Sequence, residues 1–186
     1  MRIGKPWKKG SRILAIFRNR FSSEELIQIF VACSFPIHVW AIPNMLRDVP
    51  SWLLHFTKSE LAAVVSYTLT FMLFESILVF ACILILGLLI PKRWIGDAIV
   101  PFCFVLLIEL SALAITIQYL TLEYIMYRRL LVIGAILLAI VIAFAVSRIH
   151  KLNNIFVAVI KRLAILTFLY IFVDVLGLFV VFTRIL

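Results

Sequence analysis

The sequence predicts an all-α integral membrane protein: a bundle of about five transmembrane helices with an amphipathic N-terminal interfacial helix. Of the 186 residues, 65% are hydrophobic and 15% are charged, whereas soluble domains are nearer half apolar and a quarter charged. Residues 61–90 form one apolar run with a single carboxylate, Glu75, and no Lys, Arg or His. A bilayer needs only about 20 such residues. A water-soluble fold is therefore excluded.

The N-terminal segment, residues 1–23, is basic and amphipathic. It holds seven basic residues and no acid, and apolar side chains recur at helical spacing from Ile13 to Phe21. This pattern favours a short helix in the head-group layer, and equally a positively charged anchor for the first span. An organellar transit peptide shares the composition. The residues predicted to contact lipid head groups are Lys8, Lys9, Arg12, Arg18 and Arg20.

Residues 24–186 are predicted to form a single transmembrane helical domain. Ser22 and Glu25 have the spacing of a capping box, which starts a helix, and Thr57 and Glu60 repeat it. Short polar or basic segments separate the apolar runs. The predicted spans are residues 26–46, 61–90, 98–120, 130–147 and 163–183.

The first and fourth spans carry further signals. Pro36 and other interruptions predict that the first helix bends at residues 32–36 and faces protein, because the carbonyls that proline frees need a partner in the membrane. Residues 47–60 are predicted to be an outer loop and residues 148–162 an inner connection.

The fourth span carries a stripe of small residues that permits close helix packing. The stripe consists of Ala135, Ala139, Ala143 and Ser147.

Five spans place the chain ends on opposite sides of the membrane, and the basic residues indicate which side is which. With the N-terminus inside, the three inner segments carry seven, two and four Lys or Arg residues, thirteen in all, and the outer segments carry the other five of the 18. Cytoplasmic segments are enriched in Lys and Arg. We therefore expect a plasma or inner cell membrane, a cytoplasmic N-terminus and an outside C-terminus, with an organellar membrane as the minority alternative.

Four ionisable side chains are predicted near the bilayer midplane, where such groups are rare and usually functional. They are His38, Glu75, Glu109 and Asp174. No Lys or Arg lies inside a predicted span, so His38 is the only internal cationic partner available to the acids. If they converge, the four groups could form a proton or cation relay, or a polar pocket for a small substrate.

The helical neighbours of each acid rank the candidates. Asp174 and Glu109 are the stronger functional candidates, because polar or small residues share their faces. Glu75 has a largely apolar face, and we expect it to be a buried, neutral hydrogen-bonding group. The predicted supporting polar face comprises Tyr170, Thr167, Thr116 and Ser34.

Two other interpretations of the acids stay open. Neutral acids could simply join helices by hydrogen bonds, each contributing about 0.6–2 kcal/mol. Alternatively, one or more acids could pair with a basic residue on the membrane helix of a partner.

The remaining motifs exclude several classes of function. Cys33, Cys82 and Cys103 lie inside apolar runs without metal-ligand spacing, and no cofactor or metal site is predicted. No HExxH, GxSxG or glycine-rich phosphate loop occurs, so no catalytic residue is predicted. The basic residues flank apolar spans, which favours membrane lipid over nucleic acid as their partner.

The sequence therefore favours a non-enzymatic polytopic membrane protein, a subunit or accessory component of a larger membrane assembly or homo-oligomer. Its expected partners are the lipid bilayer and other membrane helices. The alternative is a proton- or cation-coupled transporter or channel that uses the midplane acids. A lipid-modifying membrane enzyme is the third option.

Overall fold

A computed structural model describes residues 20–91, 98–118 and 129–185. Within these ranges the chain forms five helices and no strand, and all five are long and apolar enough to cross a membrane. Most of the predicted N-terminal helix, including Lys8, Lys9, Arg12 and Arg18, lies outside the described residues. The helices are α1 (Ser23–His55), α2 (Lys58–Leu89), α3 (Ile99–Gln118), α4 (Arg129–Ser147) and α5 (His150–Ile185).

Both predicted capping boxes are confirmed. At the start of α1, the Ser22 hydroxyl accepts from the Glu25 amide and the Glu25 carboxylate accepts from the Ser22 amide, over 3.2 and 2.7 Å. Thr57 and Glu60 make the same reciprocal pair at the start of α2. These contacts satisfy backbone donors that the first turn of a helix leaves without partners.

Two predicted connections are helical instead. The prediction of an outer loop over residues 47–60 is wrong, because α1 continues through Pro43 and Pro50 to His55 and only two residues separate it from α2. Each proline removes one backbone N–H donor, and the other hydrogen bonds of the helix can still form. Most of residues 148–162 likewise belongs to α5. That segment contains neither glycine nor proline, and long basic side chains can extend to the interface without ending a helix.

Helix α1 lies at the centre of the bundle. It packs against α2, α3 and α5, while α2 also contacts α5 and α3 also contacts α4. Residues 99–107 of α3 are all buried, together with Ile29, Val31 and Ala32 of α1. The second half of α3 is less enclosed. Since α2 and α3 pack on different sides of α1 and barely touch each other, they leave a groove between them.

Small residues permit the closest helix contacts. A Cβ atom added to Gly177 of α5 would lie 2.9 Å from the Leu69 Cβ and 3.1 Å from the Ser66 carbonyl oxygen of α2. The predicted small-residue stripe lies on the buried side of α4, where Ala139, Ala143 and Ser147 are 6%, 0% and 4% exposed. Close backbone approach is how helices associate where burial from water cannot drive them together.

Arg20 and Phe21, which precede α1, contact the end of α2. The Arg20 guanidinium donates to the carbonyl oxygens of Gly87 and Ile90, at a helix end where the partial charge is negative. The neighbouring Phe21 ring is buried against Gly87, whose missing side chain leaves the room. Arg20 thus makes a specific contact with the protein in addition to any contact with lipid head groups.

Candidate functional site

His38 of α1 and Asp174 of α5 form a buried pair between their helices. The His38 Nε2 atom lies 2.8 Å from the Asp174 Oδ2 atom, and both side chains are 0% exposed. The structure therefore brings together two of the four ionisable groups predicted near the midplane.

The residues around the His38 ring fix its orientation. Its Nδ1 atom lies 2.8 Å from the Ser34 carbonyl oxygen, one turn earlier in α1, and 3.2 Å from the Ser34 hydroxyl. The Tyr170 ring stacks on the imidazole at 5.2 Å between centroids and 7° between planes. Tyr170 lies one turn before Asp174 in α5, so the same helix supports the ring and pairs with it. Ser34 and Tyr170 thus contact the imidazole ring from α1 and from α5.

One proton is shared between the two partners. A carbonyl oxygen can only accept, so the contact with Ser34 assigns a hydrogen to Nδ1 of His38. A second proton must then lie between Nε2 and the Asp174 carboxylate, on one atom or the other. The Oδ1 atom of Asp174 is buried and has no hydrogen-bond partner among the described residues. The pair can thus hold a proton, and one of its carboxylate oxygens remains able to accept another hydrogen bond.

Glu75 lies apart from this pair and on the surface of the bundle. The expectation that it is buried is wrong: its side chain is exposed near the middle of α2, with no hydrogen bond or ion pair to any described residue. Apolar residues occur on every side of α2, so hydrophobic periodicity does not indicate which side faces protein. A carboxylate at this depth would face hydrocarbon unless something covers it.

Two cavities lie between α2 and α3, and we call the surface that contains both of them the α2–α3 groove. The cavity beside Glu75, which we call the outer part of the groove, has a volume of about 190 Å³, and its floor is α1. Three polar side chains project there, one from α2 and two from α3. The lining of this part is Pro36, Ile37, Trp40, Ala41, Glu75, Ser111, Ala114, Ile115 and Gln118.

The cavity towards Ile90, which we call the inner part of the α2–α3 groove, is larger and apolar. It has a volume of about 670 Å³, and its lining includes residues of α4 as well as of α2 and α3. Beyond Leu86, the Ile99 side chain lies 3.3 Å from the position that a Cβ atom on Gly87 would occupy. The lining is Leu78, Val79, Cys82, Ile83, Leu86, Leu89, Ile90, Phe102, Leu106, Leu107, Leu110, Ile136 and Ile140.

The sequence reasoning missed the groove and its two α3 polar residues. Ser111 and Gln118 are seven residues apart, so they lie on one face of a helix two turns apart. That spacing was the available signal. It could not identify α2 as the opposite wall, because nothing in the apolar pattern of α2 marks the side that carries Glu75.

Glu109 of α3 does not join the His38–Asp174 pair through any contact among the described residues. Its side chain is half-buried, and its Oε2 atom is buried without a hydrogen-bond partner there. The nearby Thr116 is exposed and donates to the Ala112 carbonyl of its own helix. Thr167 of α5 is fully buried but donates to the Leu163 carbonyl. Neither threonine supplies a donor to an acid.

Charged contacts also join the helix ends. Lys161 of α5 pairs with Glu24 at the start of α1 over 2.8 Å. Arg184, in the last turn of α5, donates to the Ser59 hydroxyl of α2. Both contacts are exposed, so each contributes little to stability. They fix which ends of α1, α2 and α5 lie at the same level.

The described residues contain no group of three or more His, Cys, Asp or Glu side chains that could hold a metal ion. Cys33 and Cys103 are buried thiols, and Cys82 is exposed in the α2–α3 groove. No family model matches the chain, and no curated protein or solved structure matches it significantly. The geometry of the site is therefore the basis for a functional conclusion.

Proposed function

We propose that the protein is a non-enzymatic membrane subunit that packs against the helices of another membrane protein through the α2–α3 groove. The observation that carries this proposal is Glu75, an exposed carboxylate near the middle of the apolar helix α2. An acid at the centre of a bilayer costs about 2.5–3.5 kcal/mol on insertion scales unless it is covered or paired. A partner that covers the groove removes that cost.

The positions of His38 and Asp174 support the same proposal, because they differ from that of Glu75. His38 and Asp174 contact each other inside the bundle and are both fully buried, so they hold α1 against α5 and present no exposed surface to a partner. Glu75 faces outwards, beside Ser111 and Gln118 of α3. The groove therefore combines an apolar surface with a few polar groups, as binding sites commonly do.

The proposed orientation follows the basic residues. The N-terminus lies in the cytoplasm and the C-terminus outside, in a plasma or inner cell membrane, because thirteen of the 18 Lys and Arg residues belong to the segments on the N-terminal side. In this orientation the α2–α3 groove opens sideways into the bilayer. A partner would reach it by lateral diffusion in the membrane.

Site-specific photo-crosslinking in native membranes tests the proposal. A photoreactive residue replaces Leu86, which lines the groove, or Leu169, an exposed leucine on α5 that serves as the matched control. We expect a discrete protein adduct from position 86 and only lipid adducts from position 169. The adduct should disappear when Glu75→Gln is added.

Two results would contradict the subunit proposal. The first is lipid adducts alone from position 86. The second is the same protein adducts from positions 86 and 169, since contact would then not depend on the groove.

A second candidate function is proton- or cation-coupled transport, and Asp174 supports it. This carboxylate shares a proton with His38, and its Oδ1 atom has no donor among the described residues, so it can take up and release a proton if water reaches it in another conformation. The test is dissipation of a pH gradient by proteoliposomes. Transport requires flux that Asp174→Asn abolishes, and equal flux in both proteins would end this candidate.

A further inference from the structure

We propose that the α2–α3 groove receives a membrane helix of a different protein that carries a Lys or Arg at its centre and pairs it with Glu75. This inference rests on the proposed function and specifies the chemistry of the partner. Charge complementarity determines which partner fits, because Glu75 is the groove's only acid among the described residues that line it.

The length of α2 that lines the groove suits a membrane helix. Along α2 it extends from Glu75 to Ile90, about 22 Å at 1.5 Å per residue. That length is most of the hydrocarbon thickness of about 30 Å. Its inner part is apolar and opens sideways, so a long apolar object can lie in it while a polar group meets Glu75 at its outer part.

A lipid acyl chain would fill the same volume but leave Glu75 unsatisfied. An acyl chain has no hydrogen-bond donor at the depth of the midplane. Acids inside membranes typically pair with a basic side chain or with backbone groups. A helix with a central Lys or Arg would both cover the apolar lining of the groove and supply a cation to pair with Glu75.

A second copy of this chain lacks the required cation. Lys161 of α5 already pairs with Glu24 over 2.8 Å, Arg162 follows it in the first half of the same helix, and Lys58 lies 17 residues before Glu75 in α2. His38, the central imidazole, is already held by Asp174 at 2.8 Å. The chain has no other Lys, Arg or His within about four helical turns of Glu75 along α2. The cation therefore comes from a different protein.

Binding of synthetic transmembrane peptides to the purified full chain in lipid bicelles tests this inference. The peptides share one Leu/Ala-rich helix and identical ends, and they differ only in a central Lys or a central Leu. Photo-crosslinking from position 86 locates the bound peptide, and fluorescence transfer measures affinity. We expect the Lys peptide to bind about tenfold more tightly than the Leu peptide, equivalent to about 1.4 kcal/mol. Glu75→Gln should abolish this preference.

A charge exchange completes the test. Glu75→Lys should prefer a peptide with a central Glu over one with a central Lys. Glu109→Gln, which removes an acid outside the groove lining, should keep the wild-type preference for Lys. The matched pair of acids separates a specific contact from a general effect of negative charge.

The possible failures have distinct meanings. Equal binding of the Lys and Leu peptides in the groove overturns the basic partner but leaves the docking groove, and hence the proposed function, intact. If neither peptide cross-links from position 86, and native membranes also yield no adduct there, both proposals fail. Displacement of the Lys peptide by tetraphenylphosphonium, dependent on Glu75, would instead indicate a site for small organic cations. A Glu75-dependent dimer of the chain alone would indicate a second copy as the partner.

Discussion

The Nε2 atom of His38 and the Oδ2 atom of Asp174 are 2.8 Å apart although 136 positions separate the two residues in the sequence. This contact joins the central helix α1 to the last helix α5 at a depth where both side chains are fully buried. A hydrogen bond in this setting links the helices only if both partners are present, because an isolated polar group would remain unsatisfied. The pair therefore makes the position of α5 depend on α1.

The first prediction is that His38 and Asp174 are energetically coupled. Asp174→Leu and His38→Leu should each destabilise the protein by about 1–3 kcal/mol, because each leaves the other group buried without a partner. The double variant should lose less than the sum, with a coupling energy of about 0.6–2 kcal/mol. Unfolding of the four proteins in mixed detergent micelles measures this cycle. Additive effects would show that the contact does not stabilise the bundle.

The second prediction concerns the close approach of α5 to α2 at Gly177. Gly177→Ala should destabilise the protein by about 1–3 kcal/mol, because the new methyl group would overlap Leu69 and a backbone oxygen. Gly134→Ala is the matched control, since no atom lies within 4 Å of its added Cβ. The control should be neutral or up to about 1 kcal/mol stabilising through helix propensity. Thermal unfolding in detergent compares the two, and equal effects would refute the packing argument.

The third prediction is that Arg20 protects the end of α2. Arg20→Gln removes the charge that donates to the Gly87 and Ile90 carbonyls, and should cost about 0.3–2 kcal/mol. Hydrogen exchange of the last-turn amides of α2 should become faster. Arg47→Gln is the control, because its 3.8 Å contact with Asp48 is exposed and weak. Unchanged exchange in Arg20→Gln would mean that Arg20 does not hold this helix end.

Asp174 and Glu75 differ in how far the sequence could predict whether each side chain faces the bundle. On α5, Thr167, Tyr170, Asp174 and Gly177 form a stripe at helical spacing, and all four face the bundle. A stripe of polar and small residues on an otherwise apolar helix indicates the side that packs. On α2, apolar residues occupy every side. The direction in which Glu75 points therefore depends on how α2 packs against α1 and α5. Hydrophobic periodicity therefore could not predict that Glu75 faces away from the bundle.

The same reasoning explains the errors at the helix ends. Prolines and basic residues predicted connections at residues 47–60 and 148–162, but the first lies largely within α1 and the second largely within α5. Local propensity is weak when a long apolar helix is stabilised on both sides of the interruption. The capping boxes at Ser22 and Thr57 were reliable because their contacts are made within one turn.

The final prediction is that Glu75→Leu separates the stability of the isolated chain from its assembly. Leucine should make insertion of α2 more favourable by about 3–4 kcal/mol, because it replaces an exposed carboxylate near the midplane with an apolar side chain. A glycosylation-based insertion assay measures this gain. Thermal stability of the purified chain should not fall, whereas the protein adduct from position 86 should be lost. Asp174→Leu provides the contrast, since it removes a buried partner and should lower stability. If Glu75→Leu lowers stability as much as Asp174→Leu does, Glu75 acts within the bundle and the docking groove is refuted.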